Sequence, residues 1–77
     1  MELYEKIRLL RLSKGVSQIH IARELGITAS GYNMKELGKR PINTKELELI
    51  AKELNVSPSI FFDDKFHVKL NKSKEVS

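Results

Sequence analysis

Seventy-seven residues leave room for one domain with a thin core, and 40% apolar with 31% charged residues are enough to fold it without wholesale disorder. The formal net charge of +4 leans towards anionic partners, and the absence of cysteine excludes a disulfide framework and a thiolate zinc site. No apolar run approaches the ~18 residues of a membrane span and the amino terminus lacks a signal-peptide apolar region, so the chain reads as soluble and cytoplasmic, with no membrane partner.

Leu3, Ile7 and Leu10 recur at helical spacing. They predict an amphipathic helix over Leu3 to Leu12 that stops at Ser13-Lys14-Gly15. Ser17 to Arg40 then reads as two short helices meeting at a tight corner. Ser17 and Thr28 stand where a hydroxyl accepts from the orphan N–H groups of each helix. Gly26, just past Leu25, takes a left-handed backbone at no steric cost, and the small Ala22 lets the second helix cross closely. Helix, short glycine-containing turn and helix at a steep angle make up a helix-turn-helix.

Gly38-Lys39-Arg40-Pro41 ends that motif, and Asn43 with Glu46 has the spacing of a capping box. The helix it starts carries Leu47, Ile50, Ala51 and Leu54 on one face, which completes the core. Asn55-Val56-Ser57-Pro58 ends it and begins another, with Ser57 as cap and Pro58 in the first helical position. A short fifth helix is therefore predicted over Ser59 to Asp64, carrying Ile60, Phe61 and Phe62. Beyond it Phe66, Val68 and Leu70 alternate with His67, Lys69 and Asn71, the period of a half-buried strand. Two readings stand: a mobile charged tail, or a strand that pairs with its copy in a second subunit. The expected organisation is all-α, a five-helix domain over residues 1–64 and a tail over 65–77, which on the second of these readings is a short strand at a dimer interface.

Gln18, Ala22, Gly26, Ile27, Tyr32, Glu36 and Gly38, with Gly15 ahead and the Thr44 to Leu54 helix behind, carry a family resemblance. Over roughly Glu2 to Phe62 the chain resembles the DNA-binding domains of phage repressors of the Cro and C1 type, the xenobiotic-response-element family. The resemblance implies a partner, double-stranded DNA, with the second helix of the motif in its major groove. Carried over by position, it implies Ala29, Ser30, Asn33 and Met34 at base edges. Ser17, Gln18, Lys39, Arg40, Asn43 and Thr44 would face phosphates, the helix starts at Ser17 and Asn43 adding backbone donors. It also implies an ion pair between Arg11 and Glu36 that ties the first helix to the end of the third, the competing role for either residue being a DNA contact.

The implied reading surface is apolar for its kind. Ala29 and Met34 offer only apolar contact, Ser30 bonds a donor or an acceptor, and only Asn33 has the geometry for a bidentate adenine contact. Two residues depart from the family pattern. Gly31 costs ~1 kcal/mol relative to alanine within a helix, and Lys35 occupies a position usually apolar or aromatic. Either Lys35 snorkels along the core edge, or the helix rotates or ends early and Leu37 fills the gap.

The expected function is a sequence-specific transcriptional regulator, a repressor acting as a homodimer on an inverted-repeat operator. Three successive apolar residues exceed what so small a core hides, so Ile60, Phe61 and Phe62, with Phe66, Val68 and Leu70, are expected at the dimer contact. The alternative is an antitoxin-like interaction module whose tail binds a protein partner. Catalysis is not expected. His20 and His67 are the only histidines, His20 is expected on the exposed side of its helix, and Asp63-Asp64 is expected as solvated charge. No metal or cofactor is expected.

Overall fold

Helix starts fall where side chains can accept from orphan backbone N–H groups. The computed structural model describes residues 1–68. In chain order it contains α1 (Leu3–Lys14), α2 (Gln18–Leu25), α3 (Ala29–Glu36) and α4 (Thr44–Glu53), followed by a 3-10 helix over Pro58–Phe62. Ser17 Oγ accepts from the His20 N–H at 3.0 Å, and Thr28 Oγ1 accepts from the Gly31 N–H at 2.9 Å. At α4 the capping box closes in both directions, Glu46 N–H to Asn43 Oδ1 at 2.7 Å and Asn43 N–H to Glu46 Oε1 at 3.0 Å. α1 runs two residues past its expected end, because Gly15 and not Ser13 is the first residue to turn left-handed.

The corner between α2 and α3 depends on Gly26, whose φ of 73° is one that L side chains rarely adopt. There the Ile27 N–H reaches back to the Ala22 carbonyl at 3.0 Å, which satisfies an orphan acceptor as the chain reverses. Asn55 ends α4 in the same backbone region, and asparagine tolerates that conformation better than most residues. The core consists of Ile7 and Leu10 from α1, Ile21 and Ala22 from α2, Tyr32 from α3, and Leu47, Ile50, Ala51 and Leu54 from α4 and its cap, closed by Phe61. α2 packs on both α3 and α4, and α1 packs on α3. The predicted helical stripes thus converge on one interior.

The fifth helix differs from expectation: it is five residues of 3-10 helix, beginning at Pro58 and ending at Phe62. With about three residues per turn, successive side chains point roughly 120° apart, so the three apolar residues separate. Phe61 is buried, Ile60 packs half-buried against the core, and Phe62 remains 67% exposed. The core hides two of the three.

No strand forms among the described residues. Phe66 and Val68 instead pack against the protomer's own core, and Leu70 lies outside the described residues. The Phe66 ring stacks on Phe61 with centroids 6.3 Å apart, and Lys6 Nζ sits 5.5 Å from its centroid. Lys6 Nζ also donates to the Phe61 carbonyl at 2.8 Å. One apolar face of the alternating segment is therefore covered by α1 and the 3-10 helix without a ladder, and packing continues past the expected boundary at Asp64.

Candidate nucleic-acid interface

The amino-terminal end of α3 leaves Ala29 and Ser30 exposed, with Asn33 and Met34 partly buried one turn on. Ser17, Lys39, Arg40, Asn43 and Thr44 are exposed and Gln18 is half-buried, and the Arg40 guanidinium lies near Gly31 at the start of α3. Two of the implied DNA contacts meet each other: Gln18 Nε2 donates to Asn33 Oδ1 at 3.1 Å. The same amide nitrogen donates to Glu36 Oε1 at 3.0 Å. Gln18 thereby orients the Asn33 amide, leaving its NH₂ group without a partner among the described residues. Ser17 and Asn43 use their side-chain oxygens as helix caps.

Behind this surface lies a buried ionic cluster. Arg11 and Glu36 are 7% and 2% exposed. Arg11 Nε donates to Glu36 Oε2 at 2.6 Å and Nη2 to Oε1 at 3.1 Å, a bidentate pair. Arg11 Nη1 takes a third acceptor, the Val16 carbonyl, at 2.8 Å. Burial pushes the Glu36 carboxyl upward, but the hydrogen bonds from Arg11 and Gln18 and the guanidinium charge outweigh it, holding the carboxyl below its ordinary range. The hydrogen bond to Glu36 holds the Arg11 guanidinium above its usual value against the opposing pull of burial. Burial likewise keeps the Tyr32 phenol protonated, with the Glu36 carboxylate adding to it. The Tyr32 hydroxyl faces this pair but achieves hydrogen-bond geometry with neither. The chain from Arg11 through Glu36 and Gln18 to Asn33 links α1, α2 and the exposed face of α3.

Both departures from the family pattern are accommodated. Lys35 snorkels: its Nζ donates to the Pro41 carbonyl at 2.8 Å and lies 3.1 Å from Glu46 Oε1. The carboxylate of the α4 capping box thus also holds the end of Lys35, and Leu37 stays 48% exposed without filling any gap. Gly31 sits in the first turn of α3, where a Cβ would stand 3.1 Å from the capping Thr28 Oγ1 and 3.6 Å from Arg40 Nη1. The contact with Thr28 would be tight and the one with Arg40 ordinary, so the glycine leaves room for the capping oxygen. At Gly38 a Cβ would stand 2.6 Å from the Tyr4 ring. Tyr4 therefore buttresses the turn that carries Lys39 and Arg40, a role the sequence does not signal because the two residues are far apart in the chain.

The remaining implied sites divide by burial. Phe61 is spent inside the protomer, Ile60, Phe66 and Val68 are half-buried, and Phe62 is the most exposed of the dimer candidates described. His20 keeps 44% of its side-chain exposure but is not solitary: its Nε2 lies 2.7 Å from Glu53 Oε1 across the α2–α4 junction. With Glu24 these residues form a group whose ligand atoms lie within 4.8 Å of one another. Only the i, i+4 spacing of His20 and Glu24 was available to find it in advance. No helix among the described residues is long and apolar enough to cross a membrane.

Comparison with known proteins agrees with this geometry. The SPbeta prophage-derived uncharacterized HTH-type transcriptional regulator YonR of Bacillus subtilis (strain 168) is 42% identical over 53 residues, 69% of this chain and 49% of that protein. An uncharacterized HTH-type transcriptional regulator of Sinorhizobium medicae (strain WSM419) is 37% identical over 59 residues, 77% of this chain and 42% of that protein. The regulator R00410 of Rhizobium meliloti (strain 1021) matches to the same extent. The chain thus spans half or less of the length of these relatives. No solved structure matches significantly. A family model described as helix-turn-helix matches residues 7–61, which include the buried pair, the two-helix corner, α3 and α4, and the chain belongs to the Cro/C1-type helix-turn-helix family.

Proposed function

We propose that the protein is a sequence-specific DNA-binding transcriptional regulator, a repressor that binds an inverted-repeat operator as a homodimer. The observation that supports this best is the anchored reading face. Ala29 and Ser30 project at the start of α3, while Gln18 holds Asn33 from α2 and is itself held by the buried Glu36. An Asn side chain whose oxygen is engaged by the protein presents its NH₂ group to an acceptor in the groove, and the exposed Ser30 hydroxyl bonds either a donor or an acceptor. Lys39 and Arg40 flank that face and supply phosphate contacts. The similarity to HTH-type transcriptional regulators points the same way.

Homodimerisation is part of the proposal, and what supports it is Phe62, an exposed aromatic beside the half-buried Ile60. Two-fold symmetry would place the two α3 helices about one helical turn of DNA apart. Selection from a random duplex library, then fluorescence anisotropy at two salt concentrations, tests the proposal. A two-fold symmetric site bound several decades tighter than random duplex is the expected result. Equal affinity for all duplexes with a steep salt dependence would reduce the interaction to phosphate contact and favour the antitoxin-like reading. Sedimentation as a monomer at ~100 µM would remove the homodimer from the proposal.

A further inference from the structure

His20, Glu24 and Glu53 are not needed by the reading face, and they combine chemistry that a salt bridge alone does not require. His20 and Glu24 are one turn apart on α2, so their side chains share a face. Glu53 comes from the last turn of α4 and reaches the His20 ring, with Nε2 2.7 Å from Oε1. One ligand atom from each residue falls within 4.8 Å of the other two. We propose that this trio binds a divalent first-row transition metal, Zn²⁺ foremost, and that the ion staples α2 to α4.

The donor set suits that ion. One imidazole nitrogen and two carboxylate oxygens leave a tetrahedral zinc its fourth position for water, and two carboxylates with a neutral imidazole balance its charge. Bond lengths of about 2.0–2.2 Å put neighbouring ligand atoms roughly 3.4 Å apart around such a centre. The trio reaches that spacing by closing about an ångström or so on its longest side and opening the short His20–Glu53 contact. The side chains have room to do so: His20 and Glu53 keep 44% and 20% of their side-chain exposure, and Glu24 is exposed. In the metal-bound form the ion takes the place of the direct contact between the ring nitrogen and the Glu53 carboxylate. Magnesium and calcium are poor occupants, because they call for six or more oxygen ligands and gain nothing from an imidazole. An imidazole with two carboxylates favours zinc, nickel, cobalt or copper.

The test titrates ZnCl₂ into the full chain in a chelator-buffered solution, with calorimetry for stoichiometry and differential scanning fluorimetry for the thermal midpoint. One Zn²⁺ per chain is expected, with a Kd of ~1–100 µM and a midpoint raised by roughly 5 °C at saturation. His20→Ala, Glu24→Gln and Glu53→Gln should each weaken binding tenfold or more. None of the three side chains belongs to the core, so the variants keep the fold. His67→Ala should bind as the parent does. Because the chain has two histidines, that variant leaves one imidazole whose ¹H–¹⁵N resonances report zinc ligation directly. Magnesium and calcium at millimolar concentration should leave the midpoint unchanged. The proposal is overturned if binding does not saturate below ~1 mM, survives His20→Ala, or disappears in His67→Ala.

Discussion

Replacing Glu36 with glutamine tests how the reading helix is held to the rest of the fold. The carboxylate is 2% exposed and accepts from Arg11 twice and from Gln18 once. Glutamine keeps the shape but removes the charge, and turns one acceptor oxygen into an NH₂ group facing donors. Arg11, 7% exposed, is left as an uncompensated buried cation. Losing one partner of a buried pair costs about 3–5 kcal/mol, against a total of roughly 4–12 kcal/mol for a domain of this size. The thermal midpoint should therefore fall by roughly 12–40 °C. Urea denaturation followed by circular dichroism measures this, with Arg11→Met and the Arg11→Met/Glu36→Gln double variant completing a cycle. The double variant should recover part of the loss, since no lone charge remains. The pH dependence has a defined sign. Glu36 titrates below its ordinary value in the folded chain, so the unfolded chain binds its proton more readily. Its stabilisation is complete above the ordinary value of 4.5 and is lost as pH falls below that and through the lowered folded value. Glu36→Gln should flatten this acid limb. A loss under ~1 kcal/mol with an unchanged acid limb would refute the argument, because it would mean that the pair is effectively solvated.

Three further substitutions probe other parts of the structure. Tyr32→Phe removes a buried hydroxyl that has no hydrogen-bond partner among the described residues, so stability should hold or rise within about 1 kcal/mol; a larger loss by thermal denaturation would show that the hydroxyl is bonded to Glu36 or Arg11. Gly38→Ala and Gly15→Ala meet the same backbone penalty, with φ of 76° and 71°, but only at Gly38 does the new Cβ meet the Tyr4 ring. Gly15→Ala should cost about 1–2 kcal/mol and Gly38→Ala measurably more, with weaker DNA binding as the Lys39–Arg40 turn shifts; equal stability costs would dismiss the Tyr4 buttress. Phe61→Ala should destabilise by about 3–5 kcal/mol, whereas the 67% exposed Phe62 replaced by serine should leave monomer stability within ~0.5 kcal/mol and raise the dissociation constant of the proposed dimer in sedimentation equilibrium.

Where local physics decides, the residues alone locate the structure. Ser17, Thr28 and Asn43 cap helices because a short polar side chain can reach an N–H two or three positions on, and that depends only on neighbouring residues. The apolar stripes of α1 and α4 and the turn at Gly26 are legible for the same reason, as helical period and left-handed backbone are written into consecutive positions. The Arg11–Glu36 pair was legible only through family resemblance, since 25 positions separate the partners and nothing local joins them. What tertiary packing decided is which of several compatible local outcomes occurred. Three adjacent apolar residues fit either a helix or a 3-10 turn, and the need to seat Phe61 on α1 and α4 selected the turn. The alternation of Phe66 and Val68 fits a strand in any pairing, yet the aromatic and cationic surface of Phe61 and Lys6 covers it within the same protomer. Lys35 could have ended its helix, but the Pro41 carbonyl and Glu46 carboxylate give its ammonium group acceptors at the core edge. His20, Glu24 and Glu53 come together only when α2 crosses α4. Side-chain chemistry is a property of the sequence, whereas proximity between distant residues arises when buried surfaces choose their partners.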